Sequence, residues 1–267
     1  MELEATLYTK EEGVATLTLN RPDTLNSITP RLIEEVTHAL EDAERDAQVR
    51  AVVITGAGRG FCSGADMKGE GPGAQAAGLS LAERRNHLRE GPHRMFRALA
   101  QCDKPAIAAI NGPCVAGGMD LAAACDIRIA SERARFAMTY VRNLGSAPSG
   151  GGCYYLPRLV GIAKACELIW TGDVMDAQEA ARIGFVSRVV SHEELTSTTM
   201  ELALRLVDGA PAAVQLSKRL VYRCLRLGLD EALEAHEMAG LIAGSTEEAR
   251  AARAAFVERR EPLAEGR

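Results

Sequence analysis

Two apolar stretches of the chain each run directly into a loop that is rich in glycine. "VRAVVIT" is followed by "GAGRGFCSGAD", and "PAIAAI" is followed by "NGPCVAGGMD". Short apolar runs bounded by glycine are typical of buried strands, and both loops lead into predicted helix starts. A hairpin over "ATLYTKEEGVATLTLN" and a third strand, "DIRIAS", extend this pattern. The β–α–β alternation predicts an α/β core.

Helical patterns dominate the second part of the chain. Upstream, helices are predicted over "TPRLIEEVTHALEDAERD" and over residues 80–101. After residue 160, six successive stretches carry apolar residues at helical spacing, and "VSRVV" is the only strand signal among them. We therefore predict an α/β core over residues 1–195 and a helical region over residues 196–267. Such late helices cover a core or a subunit interface.

Charge and cysteine content narrow the classes of partner and compartment. The 267 residues carry a formal charge of −5, from 31 basic and 36 acidic side chains, which makes nucleic acid a poor candidate partner. No apolar run reaches the length of a membrane span, and the N-terminal stretch does not have the pattern of a signal peptide. Seven singly spaced cysteines predict reduced thiols and a cytoplasmic location. The five histidines show no metal-ligand spacing.

The two glycine-rich loops suit the binding of an anion or a developing oxyanion. A helix N-terminus offers unpaired N–H groups, and two of them aimed at one oxygen make an oxyanion hole. The first loop does not match the dinucleotide fingerprint, because Phe61 stands where the third glycine belongs. It also lacks the Gly-Lys-Ser/Thr ending of a phosphate-binding loop. Glycines that only permit tight turns and close packing remain the alternative.

Four ordered stretches carry a resemblance to a known family. They are "LNRPDTLNSIT", "VVITGAGRGFCSGADMK", "KPAIAAINGPCVAGGMDLAAACDIRIAS" and "RIGFVSRVV". Together they resemble the successive signatures of the crotonase family, the enoyl-CoA hydratase/isomerase superfamily. The resemblance runs from about residue 4 to "AFVERREP", so it covers nearly the whole chain. Its motifs are specific for the family and much less specific for the reaction.

The resemblance implies a fold, an assembly and a substrate class. The implied fold is α/β, a crotonase (ClpP/crotonase-like) spiral of β-β-α units followed by a C-terminal helical trimerisation region. The implied assembly is a homotrimer or a dimer of trimers. The substrate would be an acyl-CoA thioester, with coenzyme A as part of the substrate and no separate cofactor or metal. The shared chemistry stabilises a thioester enolate through two backbone N–H groups, which here match Ala65 and Gly117.

The resemblance also places coenzyme A along the first loop. The positions that match the family's binding segment are Ser63, Ala65, Asp66 and Met67, with Gly117 facing them from the second loop. Leu25 would lie on the adenine side. Lys68 would bind a phosphate of coenzyme A, and the alternative is that its side chain is simply solvated.

Asp120 is the candidate acid/base. Hydratase members of the family have a glutamate at this position, so the acid here is shorter by one methylene. The alternative role for Asp120 is that of a helix residue that forms an ion pair with a neighbouring cation. Two carboxyl groups on one side of the reacting carbons would normally share the proton transfers.

The second glutamate of the hydratases is missing. Tyr140 stands at its position, or Val141 if the loop shifts by one residue, and no carboxylate occurs from Arg133 to Cys166. Tyr140 can donate or accept a proton, and its ordinary pKa of about 10 suits an acid better than a base. Ser149 could hold a water, but its surroundings lack the elbow of a serine hydrolase.

His93 is a further candidate, and the reaction stays open among several. Its distance of twelve residues from Pro105 matches an active-site histidine of dehalogenase-type members, and a surface histidine is the alternative. We expect an enzyme of the enoyl-CoA hydratase/isomerase type that uses Asp120 as acid/base. The alternatives are an acyl-CoA hydrolase, decarboxylase or dehalogenase-like enzyme using Asp120 with His93 or Tyr140. A catalytically silent, oligomeric acyl-CoA-binding protein is the alternative from another class.

Overall fold

A six-stranded sheet forms the centre of the fold in the computed structural model, which describes residues 3–67, 71 and 78–258. Its strands, in spatial order, are β1 (Thr6–Glu11), β2 (Val14–Leu19), β3 (Ala51–Gly56), β4 (Ala106–Ile110), β6 (Ile127–Ser131) and β9 (Arg188–Val190). β1 and β2 pair antiparallel, and every later neighbour pairs parallel. The predicted hairpin is confirmed, and its two-residue turn at Glu12 and Gly13 has positive φ angles of 50° and 79°.

A second, three-stranded sheet lies beside the first. It consists of β5 (Pro113–Val115), β7 (Arg135–Ala137) and β8 (Met175–Asp176), with β5 parallel to β7 and β8 antiparallel to it. The prediction of a loop over residues 113–115 is wrong. A three-residue strand has too few positions for an alternating pattern, so only its pairing with β7 reveals it.

Twelve α-helices are described. They are α1 (Pro30–Arg45), α2 (Leu81–Glu90), α3 (Pro92–Gln101), α4 (Gly117–Ala124), α5 (Tyr140–Leu144), α6 (Gly152–Val160), α7 (Ile162–Thr171), α8 (Ala177–Arg182), α9 (Leu195–Val207), α10 (Pro211–Cys224), α11 (Leu229–Gly244) and α12 (Glu247–Glu258); a short 3-10 helix spans Pro22–Thr24. The single helix expected over residues 80–101 is two helices. Gly91 has non-helical angles of φ −98° and ψ −107°, and Pro92 then starts α3, where its missing N–H costs nothing.

The core lies on both faces of the large sheet. On one face α1 buries Leu32, Val36 and Leu40, a spacing that places all three on one side of the helix. On the other face α9 buries Leu195 and Ala203 against the sheet. The last helices bury fewer side chains than α1 and α9 do, and the described residues of α10 and α12 include no buried residue. The predicted boundary between an α/β core ending at residue 195 and a helical region beginning at residue 196 stays a prediction.

Large apolar side chains are exposed along α10, α11 and α12 and in the short turn between α10 and α11. They are Val221, Leu225, Leu229, Leu233, Met238, Leu241, Ile242, Phe256 and Val257. Each of the three helices therefore presents an apolar surface that this chain alone leaves uncovered. None of the described helices is long and apolar enough to cross a bilayer.

Candidate active site

The first glycine-rich loop runs parallel to the short extended segment around Ile28. The Ile28 N–H donates to the carbonyl of Gly64 at 2.8 Å, and the Asp66 N–H donates to the carbonyl of Ile28 at 3.0 Å. Successive N–H groups of extended backbone point to opposite sides, so the Ala65 N–H points away from Ile28. Within the described residues this N–H has no hydrogen-bond partner.

The second loop ends at Gly117, the first residue of α4. A first helical residue has an N–H without an intrahelical partner. Ala116, just before it, adopts φ 47° and ψ −114°, which is a strained conformation for a residue with a side chain. Its N–H donates to the carbonyl of Ala137 at 2.8 Å, and its own carbonyl accepts from the Asp120 N–H at 2.9 Å. These two bonds hold the strained turn and so direct the Gly117 N–H.

The two loops meet at Gly64. A Cβ atom at this position would lie 3.2 Å from the Gly117 nitrogen and 3.1 Å from the Cβ of Ala116. Gly64 also has φ +86°, which an L side chain rarely adopts. Glycine here leaves the Gly117 amide uncovered and brings the backbone of Ala65 beside it. The two N–H groups implied by the resemblance therefore lie on neighbouring backbones.

Asp120 lies one turn into α4 and is completely buried. Its Oδ2 accepts a hydrogen bond from the Tyr140 hydroxyl at 2.8 Å and another from the Gly150 N–H at 3.0 Å. Its Oδ1 is buried without a hydrogen-bond partner in the described part of the chain. The alternative of a carboxylate paired with a neighbouring cation is wrong for the described residues, since its partners are a phenol and a peptide group.

The glycines of the turn before α6 enclose this carboxylate. A Cβ at Gly150 would lie 2.5 Å from Oδ2 and 2.4 Å from Cζ of Phe96, and a Cβ at Gly152 would lie 2.5 Å from Oδ1. No other residue fits at either position without moving the carboxylate. The run "SGGG" at residues 149–152 is therefore the sequence signal that could have located this contact.

Burial has the largest effect on the pKa values of Asp120 and Tyr140. Burial raises the pKa of Asp120 to about 6, against the opposing hydrogen bonds from Tyr140 and Gly150 and the nearby N–H of Gly152. The Gly152 N–H lowers the pKa of Asp120 least, and Oδ1 has no hydrogen-bond partner among the described residues. Burial, followed by the negative charge of Asp120, raises the pKa of the Tyr140 phenol. Near neutral pH the pair thus holds one shared proton, on Tyr140, with Asp120 ionised.

Tyr140 connects Asp120 with the Gly117 amide. Its side chain is buried, and its hydroxyl lies 3.4 Å from where a Cβ of Gly117 would be. Val141, the other residue considered for this position, is exposed. Tyr140 therefore occupies the position between the carboxylate and the candidate oxyanion hole, and Asp120 lies behind it.

His93 lies on the outer side of the Gly150 turn. Its Nε2 lies 2.9 Å from the carbonyl oxygen of Ser149, and the side chain makes no hydrogen bond to Asp120. With Phe96, Tyr154 and Tyr155 it lines a cavity of about 640 Å³. His93, expected to act together with Asp120 in one of the alternatives, is separated from it by the Ser149–Gly150 peptide group.

Five of the seven candidate coenzyme A residues line one groove of about 490 Å³, and Gly117 is not among its lining residues. Its lining residues are Asp23, Thr24, Leu25, Ser27, Arg59, Ser63, Ala65, Asp66 and Met67. Arg59 is a cation that the sequence analysis did not single out. Lys68 lies outside the described residues. Asp66 accepts hydrogen bonds from Arg21 and from Ser27, both at 3.2 Å.

No group of three or more possible metal ligands occurs among the described residues. All seven cysteines have free thiols.

Known proteins are similar to this chain over nearly its whole length. The family model described as enoyl-CoA hydratase/isomerase matches residues 9–267. A short-chain-enoyl-CoA hydratase of Clostridium acetobutylicum is 40% identical over 261 residues, covering 97% of both chains. A crotonyl-CoA hydratase of Syntrophomonas wolfei is 36% identical, again over 97% of both.

Solved structures of similar proteins have the same fold. The crystal structure of an enoyl-CoA hydratase from Bacillus anthracis superimposes with a TM-score of 0.88 at 32% identity, covering 96% of this chain and 97% of that one. The predicted crotonase fold is confirmed by this match and by the mixed α/β architecture with its C-terminal helices.

Proposed function

The chain belongs to the enoyl-CoA hydratase/isomerase family and processes acyl-CoA, and we propose that it hydrates a short 2-enoyl-CoA to the 3-hydroxyacyl-CoA. One observation carries the proposal: the buried carboxylate of Asp120 accepts a hydrogen bond at 2.8 Å from Tyr140, whose hydroxyl lies 3.4 Å from where a Cβ of Gly117 would be. The printed names of two relatives, a short-chain-enoyl-CoA hydratase and a crotonyl-CoA hydratase, also support it.

In this proposal the N–H groups of Ala65 and Gly117 bind the thioester oxygen. When water adds to the β carbon, negative charge moves onto that oxygen and the two donors stabilise the enolate. One such donor is typically worth about 3–4 kcal/mol in the transition state. The groove that contains Leu25, Ser63 and Asp66 holds coenzyme A beside this point.

Asp120 and Tyr140 move one proton in the proposed reaction. As the water oxygen bonds to the β carbon, its proton passes to the Tyr140 oxygen while the Tyr140 proton passes to Oδ2 of Asp120. The same path in reverse delivers a proton to the α carbon and restores the pair. Because Asp120 must be ionised at the start, kcat should fall as the pH drops below about 6.

Migration of the double bond is a second candidate. It is favoured by the single proton that Asp120 and Tyr140 share at 2.8 Å, because one base can remove a proton from the γ carbon and return it to the α carbon. This reaction passes through a dienolate of the thioester, which the same two N–H groups would stabilise, and it needs no water.

The first test is the incubation of the purified protein with crotonyl-CoA. We expect loss of the conjugated-thioester absorbance and a product heavier by one water. Loss of the band without a gain of mass would favour migration of the double bond, and a stable band with unaltered substrate would reject hydration. In deuterated water, the hydrated product should carry deuterium at the α carbon.

Tyr140→Phe tests the proposed proton path. We expect kcat to fall by about 10–100-fold and the acid limb of its pH profile to move to higher pH, because Asp120 loses a hydrogen bond that lowers its pKa. Tyr8→Phe is the matched control, since Tyr8 also donates to an aspartate, Asp42, at 3.0 Å but lies on β1. Equal kcat values for the two variants would remove Tyr140 from the path.

The proposal includes a homotrimer or a dimer of trimers in a reducing, cytoplasmic compartment. The exposed apolar side chains of α10–α12 support self-association, because a second copy would cover them. The four buried free thiols suit a reducing compartment. Sedimentation analysis should give three or six times the chain mass of 28.5 kDa, and a monomer would contradict the assembly.

A further inference from the structure

Helix α3 contacts the Ser149–Gly150 turn at two points. The His93 Nε2 lies 2.9 Å from the Ser149 carbonyl oxygen, and because a carbonyl can only accept, Nε2 carries the hydrogen. Phe96, one turn later on α3, places Cζ only 2.4 Å from where a Cβ of Gly150 would be. The hydrogen bond and the ring together fix the position of this turn against α3.

The peptide group between Ser149 and Gly150 joins His93 to Asp120. It is planar and trans, so its C=O and its N–H point in opposite directions. His93 donates to the C=O end, and the N–H end donates to Oδ2 of Asp120 at 3.0 Å. A donor at the carbonyl polarises the peptide group and strengthens the hydrogen bond made by its N–H.

Few side chains anchor this turn, and its far end is tied to α6 by the N–H groups of Tyr154 and Tyr155, which donate to the Gly151 carbonyl at 2.8 and 2.9 Å. Residues 141–147 and Ser149 are exposed, so burial does not fix the chain that leads into it. Gly150 and Gly151 have no side chains that could anchor it. His93 therefore makes the side-chain hydrogen bond to the C=O end of a peptide group whose N–H end contacts the candidate acid/base.

We infer that His93 is a positioning residue: it holds the Ser149–Gly150 peptide group so that the Gly150 N–H stays aimed at Asp120. The inference rests on the proposed function, in which Asp120 is the acid/base. It assigns His93 no contact with the substrate. It also explains why a histidine is found at this place on α3 although it makes no hydrogen bond to Asp120.

Titratable groups lie at both ends of the connection that the Ser149–Gly150 peptide group makes between His93 and Asp120. Asp120 faces the hydroxyl of Tyr140 from α5 and the thiols of Cys62, Cys114 and Cys153 from the first loop, β5 and α6.

His93 faces Arg97 on its own helix and Cys153, Tyr154 and Tyr155 across the cavity. His93 and Asp120 make no hydrogen bond to each other. If mutation of His93 changes the pKa of Asp120, we therefore attribute the change to the Ser149–Gly150 peptide group.

The test follows the ionisation of Asp120 directly. In the full-length protein labelled with ¹³C at aspartate side chains, the Asp120 resonance is assigned by its loss in Asp120→Asn and titrated by NMR. His93→Ala should move its midpoint upward by about half a pH unit, because the Gly150 hydrogen bond that lowers the pKa is weakened. His93→Gln, whose amide can still donate, should restore the native midpoint. His87→Ala, on α2, is the matched histidine control and should not move it.

Kinetics supply the second measurement. With crotonyl-CoA, His93→Ala should lower kcat about tenfold and leave KM within twofold, and His93→Gln should recover most of the loss. An unchanged Asp120 midpoint in a folded His93→Ala protein would overturn the inference, as would a His93→Gln protein that behaves like His93→Ala. The NMR titration needs no substrate, so it still decides the role of His93 if the protein fails to hydrate crotonyl-CoA.

Discussion

The two glycine-rich loops of this protein have similar sequences and different surroundings. The first loop forms an open groove, where Met67 is 59% exposed and Ser63 is half-buried. The second loop leads into a helix whose residues are all buried, Asp120 among them. An open backbone groove suits the binding of a long ligand, whereas a site closed to water suits proton transfer. In the proposed reaction, the first loop would therefore bind the ligand and the second would support the chemistry.

The two aspartates of these loops show the same contrast. Asp66 forms an ion pair with Arg21 at 3.2 Å and accepts from Ser27. Asp120 has a phenol and a peptide N–H as partners, and burial raises its pKa to about 6. The two carboxylates differ because only Asp120 is removed from water and from cations.

The largest expected effect comes from removing the buried acid. Asp120→Ala should lower kcat by about 10³-fold while the Kd for an acyl-CoA stays within threefold, because general acid/base catalysis depends on this group and binding depends on the first loop. Steady-state kinetics and calorimetric binding measure the two quantities separately. Asp173→Ala, an exposed acid near Arg142, is the control; wild-type kcat in Asp120→Ala would exclude Asp120 from the reaction.

Removal of one backbone donor should have the next largest effect. Gly117→Pro deletes the N–H at the first position of α4, where helices tolerate proline, and should lower kcat about 100-fold or more.

Gly117→Ala keeps the N–H and is the control for added bulk, because its Cβ would lie 2.9 Å from Cδ1 of Ile28. If both variants lose the same activity, Gly117 acts through packing and not as a donor.

The raised pKa of Asp120 also predicts a pH dependence of stability. The folded protein binds the Asp120 proton more tightly than the unfolded chain does, so this group's stabilising contribution is complete at low pH and is lost as the pH rises from about 4 through about 6. Asp120→Asn cannot ionise. Its free energy of unfolding relative to wild type should therefore rise by about 2 kcal/mol between pH 4 and pH 8, as measured by urea unfolding. A difference that is constant with pH would mean that the Asp120 pKa is not raised.

The smallest effect is expected in the open loop. Asp66→Asn weakens the ion pair with Arg21, an interaction that is partly exposed to solvent. We expect KM for the acyl-CoA to rise about threefold with kcat within twofold of wild type. A loss of kcat comparable with that of Asp120→Ala would mean that the two loops are not separated into binding and chemistry.

Local sequence predicted much of this fold because its signals are local. The hairpin of β1 and β2, helix α1 and the buried strand β3 follow from alternation, helical spacing and glycine positions. Gly91 and Pro92 carried the signal that divides α2 from α3, although the periodicity alone predicted one helix. Strand β5 was missed because it is three residues long and exists through its pairing with β7.

The sequence by itself determined which groups are available: bare backbone at Ala65 and Gly117, one acid at Asp120 and a tyrosine twenty residues later. Only the tertiary structure decided how they act. The hydrogen bond from Gly150 to Asp120 joins residues 30 apart, and that from His93 to Ser149 joins residues 56 apart. The pKa of Asp120 depends on complete burial, which is produced by packing from several elements at once. A pattern of neighbouring residues cannot encode such contacts, because ionisation responds to the water and charges that surround a group in space.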